Sequence, residues 1–169
     1  AIWVYLKDYQ KSRLLTLFNP ELDPLGAGYH SIQSKIAIGS GGFWGKGLLA
    51  GTQSRLNFLP EKHTDFIFSV FAEETGFFGV AVLLSLFLFV ILKGLNIAFR
   101  AVDRFGFFLS LGLISSIAFY IIFNVGMTIG LFPITGIPLP LMSYGGSSLI
   151  TNFFAIGLLL NVEMRRTIH

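Results

Sequence analysis

"FGFFLSLGLISSIAFYIIFNVGMTIGL", residues 105–131, holds no charged side chain, and none follows before Glu163. A helix crossing a hydrocarbon core about 30 Å thick needs roughly 20 such residues. Upstream, the stretch from Phe66 to Leu92 carries only Glu73 and Glu74. The whole chain is 53% apolar and 12% charged, against about a quarter charged in soluble chains. Mean hydropathy is +0.72. An ordinary soluble domain is excluded. The pattern predicts an all-α polytopic membrane protein, with residues 1–169 as a single membrane domain.

Working outward, we assign helical spans to 65–95, 105–131 and 147–162. A single helix from Asp65 to Leu92 would run about 42 Å at 1.5 Å per residue, longer than the core. So "DFIFSVFA" (65–72) is expected to be a separate interfacial turn or short helix, with a break near "EETG" (73–76). "FPITGIPLPLMSYGGSS" (132–148) sets Pro133, Pro138, Pro140, Gly136, Gly145 and Gly146 between two spans. Broken backbone at membrane depth is tolerated where protein buries it or where it lines a wet cavity, so a re-entrant loop is expected. "AIWVYLK" (1–7) reads as the tail of a preceding span, and we expect the chain to be the C-terminal part of a longer protein. There is no cysteine, hence no disulfide framework and no redox signal.

Short basic loops face the cytoplasm. "KGLNIAFRAVDR" (93–104) has Lys93, Arg100 and Arg104 against Asp103, and the tail "EMRRTIH" has Arg165 and Arg166. Two spans separate these segments, so both fall on one side, the cytoplasmic one. The long segment 7–64 and the Pro-rich segment then share the outer face. Residues 7–64 carry seven Lys or Arg, four acids and two His, and read as short interfacial helices punctuated by "NPELDPLGAG" and "GSGGFWGKG". Glycine-rich backbone with Lys or Arg suits phosphate groups. "GSGGFWGKG" lacks the strand-before, helix-after context of a nucleotide loop, and a surface loop touching lipid headgroups accounts for it equally well.

Asp65 closes the polar run "LPEKHTDFIF" (59–68) at the door of the first span. Thr64 and Asp65 are both good N-cap residues, and an acid beside a helix N-terminus is favoured by the dipole. Capping and chemistry are both open for Asp65. Glu73 and Glu74 point about 100° apart on a helix, so one is expected to pair with a basic residue of 7–64 and the other to sit among headgroups. Asn124, four residues before Thr128, either lines a cavity or joins two helices.

"NVGMTIGLFPITGIPLPLMSYGGSS" (124–148), "LPEKHTDFIFSVFAEETG" (59–76) and the outer segment from Leu6 to Gly42 resemble the signatures and large outer loop of the SEDS family, named for shape, elongation, division and sporulation. "GTQSRLNFLPEKHTDFIF" (51–68) and "IGSGGFWGKG" (38–47) are closer to its rod-shape branch than to its division branch. The resemblance covers nearly the whole chain, but only the last three spans of the family's bundle and the stub of one before.

That resemblance implies a peptidoglycan glycosyltransferase that joins lipid II units at the outer face of the bacterial cytoplasmic membrane during elongation, releasing undecaprenyl pyrophosphate. By the same resemblance, Asp65 would be the catalytic base. Arg13, Lys46 and Arg55 would hold pyrophosphate or scaffold the loop. Gln33, Ser34, Gln53, His63, Thr64, Ser143, Tyr144 and Ser147 would bind substrate. The resemblance fixes no cofactor. A divalent cation, Mg²⁺ or Mn²⁺, could share the charge of the pyrophosphate, although no ligand cluster demands one. The partners implied are lipid II, a class B penicillin-binding protein transpeptidase, the elongation machinery and membrane lipids, with no nucleic acid. The rival readings are a transporter of the lipid-linked precursor and a scaffold whose outer loop binds a partner.

Overall fold

The computed structural model describes residues 11, 13, 15–17, 26–48, 50–51 and 64–166. Four long helices carry these: α1 (Ala27–Ser40), α2 (Ile67–Phe99), α3 (Arg104–Ile129) and α4 (Gly146–Arg166). The described residues contain no strand. α2, α3 and α4 are each long and apolar enough to cross a membrane. Most of their large apolar side chains face outward, including Leu86, Phe89, Leu92, Phe108, Ile150 and Phe153. Lipid rather than a protein core is the natural neighbour of such a surface.

Helix ends follow local chemistry. Asp103 caps α3, its side chain accepting from Gly106 N at 3.2 Å. Gly130 closes α3 in the left-handed conformation, φ 80°, where glycine is unstrained. Composition suggests a loop opening at Lys93. In the structure α2 continues to Phe99, and the turn to α3 is only Arg100–Asp103. Leu95, Ile97, Ala98 and Phe99 contain no breaker, and Lys93 lies 5.6 Å over the Phe89 ring, so its charge does not end the helix. α4 likewise runs past Val162 to Arg166.

The break expected within "EETG" is at Gly76, with φ 67° and ψ −165° inside α2. That conformation is essentially confined to glycine. After it, the segment from Phe77 to Phe99 is about 34 Å long at 1.5 Å per residue, enough for one crossing. A continuous helix would bond Glu73 O to Phe77 N and Glu74 O to Phe78 N, so the kink releases all four groups. The segment 42–47 takes up each of them. Phe77 N donates to Gly42 O (2.9 Å) and Phe78 N to Phe43 O (3.2 Å). Lys46 N donates to Glu73 O and Gly47 N to Glu74 O, both at 3.0 Å.

Such close approach explains the glycines. A Cβ on Gly45 would lie 2.1 Å from Glu74 O, and one on Gly41 would lie 2.2 Å from Ala72 O. The glycine-rich segment is therefore neither a phosphate cradle nor a loose surface loop. Its backbone completes a broken span. Beside it Phe43 stacks on Phe77 and Trp44 leans on Phe78. All four rings are exposed, in the manner of an interfacial aromatic belt.

α1 is docked onto α2 and α3. Ser34 Oγ lies 2.6 Å from Ser69 Oγ and donates to Thr128 O at 2.7 Å, and Ser34, Ser69 and Thr128 are fully buried. α2 and α3 close tightly at Gly94, where a Cβ would meet Ile114 Cδ1 at 2.5 Å. The segment between α3 and α4 turns back into the bundle. Leu139 is fully buried and joins the cluster of Phe68, Phe87, Ile117, Ile121 and Ala155. Ile121 is eight residues before the end of α3, so the loop descends about 12 Å beside that helix. Leu141 adopts a left-handed φ of 63° there. The turn around it is closed by Ser143 N donating to Leu139 O at 3.0 Å and Leu139 N donating to Ser143 Oγ at 2.7 Å.

Gly76→Ala should destabilise the full-length protein by about 3 kcal/mol or more, combining a glycine-only conformation with a Cβ 2.3 Å from Gly45 N. Gly112→Ala, whose Cβ meets nothing within 4 Å, should be neutral or stabilise by about 0.5–1 kcal/mol. Thermal unfolding in detergent measures both. A Gly76→Ala protein as stable as the parent would contradict the kink's role.

Candidate functional site

Thr64, Asp65 and Phe66 form the turn that leads into α2. The N-cap of α2 is Phe66, without a capping side chain. Asp65 is one residue earlier, in the turn itself. Phe66 and Phe68, both nearly fully buried, anchor the turn from below.

Side chains from the far end of the chain hold its backbone. Asn124 Nδ2 donates to Asp65 O at 3.0 Å and to Ile137 O at 2.7 Å. Ser143 Oγ donates to Thr64 O at 2.7 Å while accepting from Leu139 N. One amide thus ties α3, the Asp65 turn and the descending loop together. With both hydrogens of Asn124 Nδ2 committed to carbonyls, its Oδ1 is buried without a partner among the described residues. Gly136, φ 74°, faces the Asp65 carboxylate: a Cβ there would lie 3.2 Å from Asp65 Oδ2. The half-buried carboxylate therefore rests against loop backbone that only glycine permits.

Arg13 Nη1 donates to Ile134 O at 3.0 Å, two residues from Gly136. His30 on α1 has its ring 6.2 Å from that of Phe66, and its Nδ1 is buried without a partner among the described residues. Sequence reasoning favours His63 over His30. The proximity of His30 to the Asp65 turn depends on the docking of α1, which no local motif announces.

The expected site residues separate into groups. Asp65, Thr64, Ser143 and Arg13 meet around the turn and the loop. Ser147, with Tyr120, Pro138, Pro140, Ser148, Thr151 and Asn152, lines a cavity of about 200 Å³ on the other side of that loop. Tyr144 is 82% exposed. Gln33 is half-buried on α1. Ser34 is fully buried, and its hydroxyl ties α1 to α2 and α3. Lys46 Nζ is 2.8 Å from Glu73 Oε1, and Glu73 is 0% exposed; this is the pairing expected of one of the two glutamates. Lys46 thus neutralises a buried carboxylate at the kink. Gln53, Arg55 and His63 lie outside the described residues. Among those described, no group of three or more His, Asp or Glu converges on one point, so these residues build no metal centre by themselves.

Residues 1–168 match the family described as "Cell cycle protein" (FtsW, RodA and SpoVE). The chain is 52% identical over 166 residues to the peptidoglycan glycosyltransferase MrdB of Escherichia coli K12, covering 98% of this chain and 45% of that protein. It is 46% identical over 155 residues to stage V sporulation protein E of Bacillus subtilis, covering 92% and 42%. The chain spans under half the length of these curated relatives. Its structure aligns with a chain of a peptidoglycan synthase complex, described as coordinating polymerization and crosslinking. That match has a TM-score of 0.74 at 36% identity, over 98% of this chain and 45% of the other. It also aligns with the rod-shape-determining protein RodA of Thermus thermophilus, with a TM-score of 0.61 at 30% identity, over 94% and 57%.

If Asn124 and Ser143 hold the turn, removing their donors strands buried carbonyls at about 1–3 kcal/mol each. Asn124→Leu should therefore destabilise more than Ser143→Ala. The double variant should lose less than the two losses added, because both side chains support one turn. Chemical or thermal unfolding of the full-length protein reads this. Strict additivity would mean that the two contacts act independently.

Proposed function

The chain belongs to the FtsW, RodA and SpoVE family of cell-cycle proteins, and from that premise we propose that it is part of a peptidoglycan glycosyltransferase that polymerises lipid II at the outer face of the bacterial cytoplasmic membrane. The Asp65 end of the bundle would face outward and the Arg100–Asp103 turn inward, as the charge bias of the short loops requires. The observation that carries the reading is the setting of Asp65: its turn is held through two carbonyls, and its carboxylate lies against Gly136. The relatives' names as peptidoglycan glycosyltransferases support the reaction class.

In this reading a sugar hydroxyl of one lipid-linked unit passes its proton to Asp65 as its oxygen forms a bond to the anomeric carbon of the other. The bond from that carbon to pyrophosphate breaks, and undecaprenyl pyrophosphate leaves with the electron pair. A sugar hydroxyl is a weak nucleophile and needs a base within hydrogen-bond reach. Pyrophosphate is a stable anion and needs no acid to protonate it, so a single carboxylate suffices. The leaving group does need positive charge nearby. Arg13 suits this task better than Lys46, because Lys46 is engaged with Glu73, whereas Arg13 commits one guanidinium nitrogen to Ile134 O and has further donors. The hydroxyl-lined cavity at Ser147 would take part of a saccharide head.

The same reading makes a class B penicillin-binding protein the partner for crosslinking, within the elongation machinery. A solved relative described as part of a synthase complex for polymerization and crosslinking supports it. A transporter would need polar groups along the whole length of its path. Among the described residues, the buried polar side chains Thr16, Ser34, Ser69, Glu73, Asn124, Thr128 and Ser143 gather at the Asp65 end, and Ser110 lies deeper in α3.

The test is glycan polymer formed from lipid II by the purified full-length protein. Asp65→Asn keeps size and polarity but cannot accept a proton at neutral pH. It should leave unfolding temperature and lipid II binding unchanged while lowering polymerisation by on the order of a hundred-fold or more. Asp65→Glu should recover little, since a shift of about 1 Å in a positioned group is costly. An Asp65→Asn protein that polymerises at the parent rate would remove Asp65 from the chemistry.

A further inference from the structure

At the end of the bundle opposite Asp65, the turn from α2 to α3 meets the last turns of α4 around a cavity of about 130 Å³. A phosphate group fits within this space. Phe105, Leu109 and Leu158 form its apolar wall, and Asp103, Asn161 and Arg165 supply its polar atoms.

The Asp103 carboxylate is directed into α3. Its Oδ2 accepts from Gly106 N at 3.2 Å, where the helix N-terminus offsets negative charge. Gly106 permits this, since a Cβ there would lie 2.8 Å from Asp103 Oδ1. Arg165 is different. It is exposed, and among the described residues its guanidinium has no carboxylate within ion-pair distance. The same holds for Arg100 and Arg104 at this end. The three guanidiniums outnumber Asp103 and Glu163, the only carboxylates described here. Arginine presents paired donors that match phosphate oxygens, and Asn161 adds amide hydrogens. Exposed Phe105 and Phe108 continue the apolar wall toward the lipid-facing side of α3.

A guanidinium and an amide lining a cavity that admits a phosphate group, bordered by apolar surface at the end of three spans, match an amphiphile with an anionic head. We propose that this cavity binds the phosphodiester head of an anionic membrane phospholipid, with Arg165 and Asn161 on the phosphate and the acyl chains along Phe105, Leu109 and Leu158. Basic pockets between spans take lipid headgroups for this reason. The site is separate from the Asp65 turn, so lipid II polymerisation neither supports nor opposes it.

The experiment is a titration of detergent-purified, delipidated full-length protein with short-chain phosphatidylglycerol, reading the rise in unfolding temperature. Phosphatidylcholine of equal chain length and inorganic phosphate are run in parallel. Phosphatidylglycerol should stabilise at concentrations at least about tenfold below either of the others. Arg165→Gln should weaken its apparent affinity about tenfold or more, the scale of one charged hydrogen bond, and Arg165→Lys should restore part of it. Arg100→Gln removes the same charge at the same end but outside the cavity, and should weaken affinity clearly less. Equal losses for Arg165→Gln and Arg100→Gln would mean diffuse attraction and overturn the site. Equal stabilisation by phosphatidylcholine would overturn the anionic preference, and equal stabilisation by inorganic phosphate would make it a free-anion site and remove the lipid.

Discussion

The kink at Gly76 sets the conditions for everything above it. A buried backbone group left without a partner costs about 1–3 kcal/mol, and the kink releases four of them. Left unpaired, the four together would cost about as much as the roughly 5–15 kcal/mol that holds a typical domain together. The segment 42–47 meets all four from one side, which is possible only because Gly41, Gly45 and Gly76 let two backbones touch. Lys46 adds the counter-charge that allows Glu73 to be fully buried beside them. The outer segment is therefore part of the span's construction. α1 leads into that segment and is pinned in turn by Ser34 to α2 and α3.

With α2 divided, its first two turns belong to the outer end of the bundle, and the Asp65 turn sits on top of them. The descending loop meets the turn there. Asn124 joins the two with one amide, Ser143 repeats the connection one residue earlier, and Arg13 ties the loop to the outer segment. The proposed chemistry depends on this rigidity, since a single carboxylate acting as base must be aimed well. The loop's own irregularities, Gly136 and Leu141 at positive φ, are fixed by the same contacts. Gly136 brings backbone against Asp65 Oδ2 where a side chain would intrude.

Much of this architecture is legible in the amino-acid sequence. Long uncharged runs fix three spans by composition alone. The break near Glu73–Gly76 can be anticipated because a continuous helix from Asp65 would overrun the bilayer. The stretches 59–76 and 124–148 carry the family resemblance, and in the structure these two stretches are in contact through Asn124 and Ser143. The partners of the glycines are not legible. "GSGGFWGKG" announces a permissive backbone without saying whose backbone approaches it, so a phosphate loop and a surface loop stand equal. Lys46 reads as a cation for pyrophosphate or for the loop scaffold, and sequence does not separate the two because its partner, Glu73, is 27 residues away. Ser34 reads as a ligand for substrate because a serine buried between helices looks, in sequence, like any other.

The central claim is that Asp65, held in this setting, takes the proton from the attacking sugar hydroxyl. The pH dependence of lipid II polymerisation by the intact protein under single-turnover conditions tests it most directly. A base that must be ionised predicts an acid limb in which the logarithm of the rate rises with slope one and then levels. In Asp65→Asn the residual rate should lose that limb and be flat over the same range. An Asp65→Asn protein that keeps the parent's acid limb, at whatever absolute rate, would assign the titrating base to another group and contradict the account.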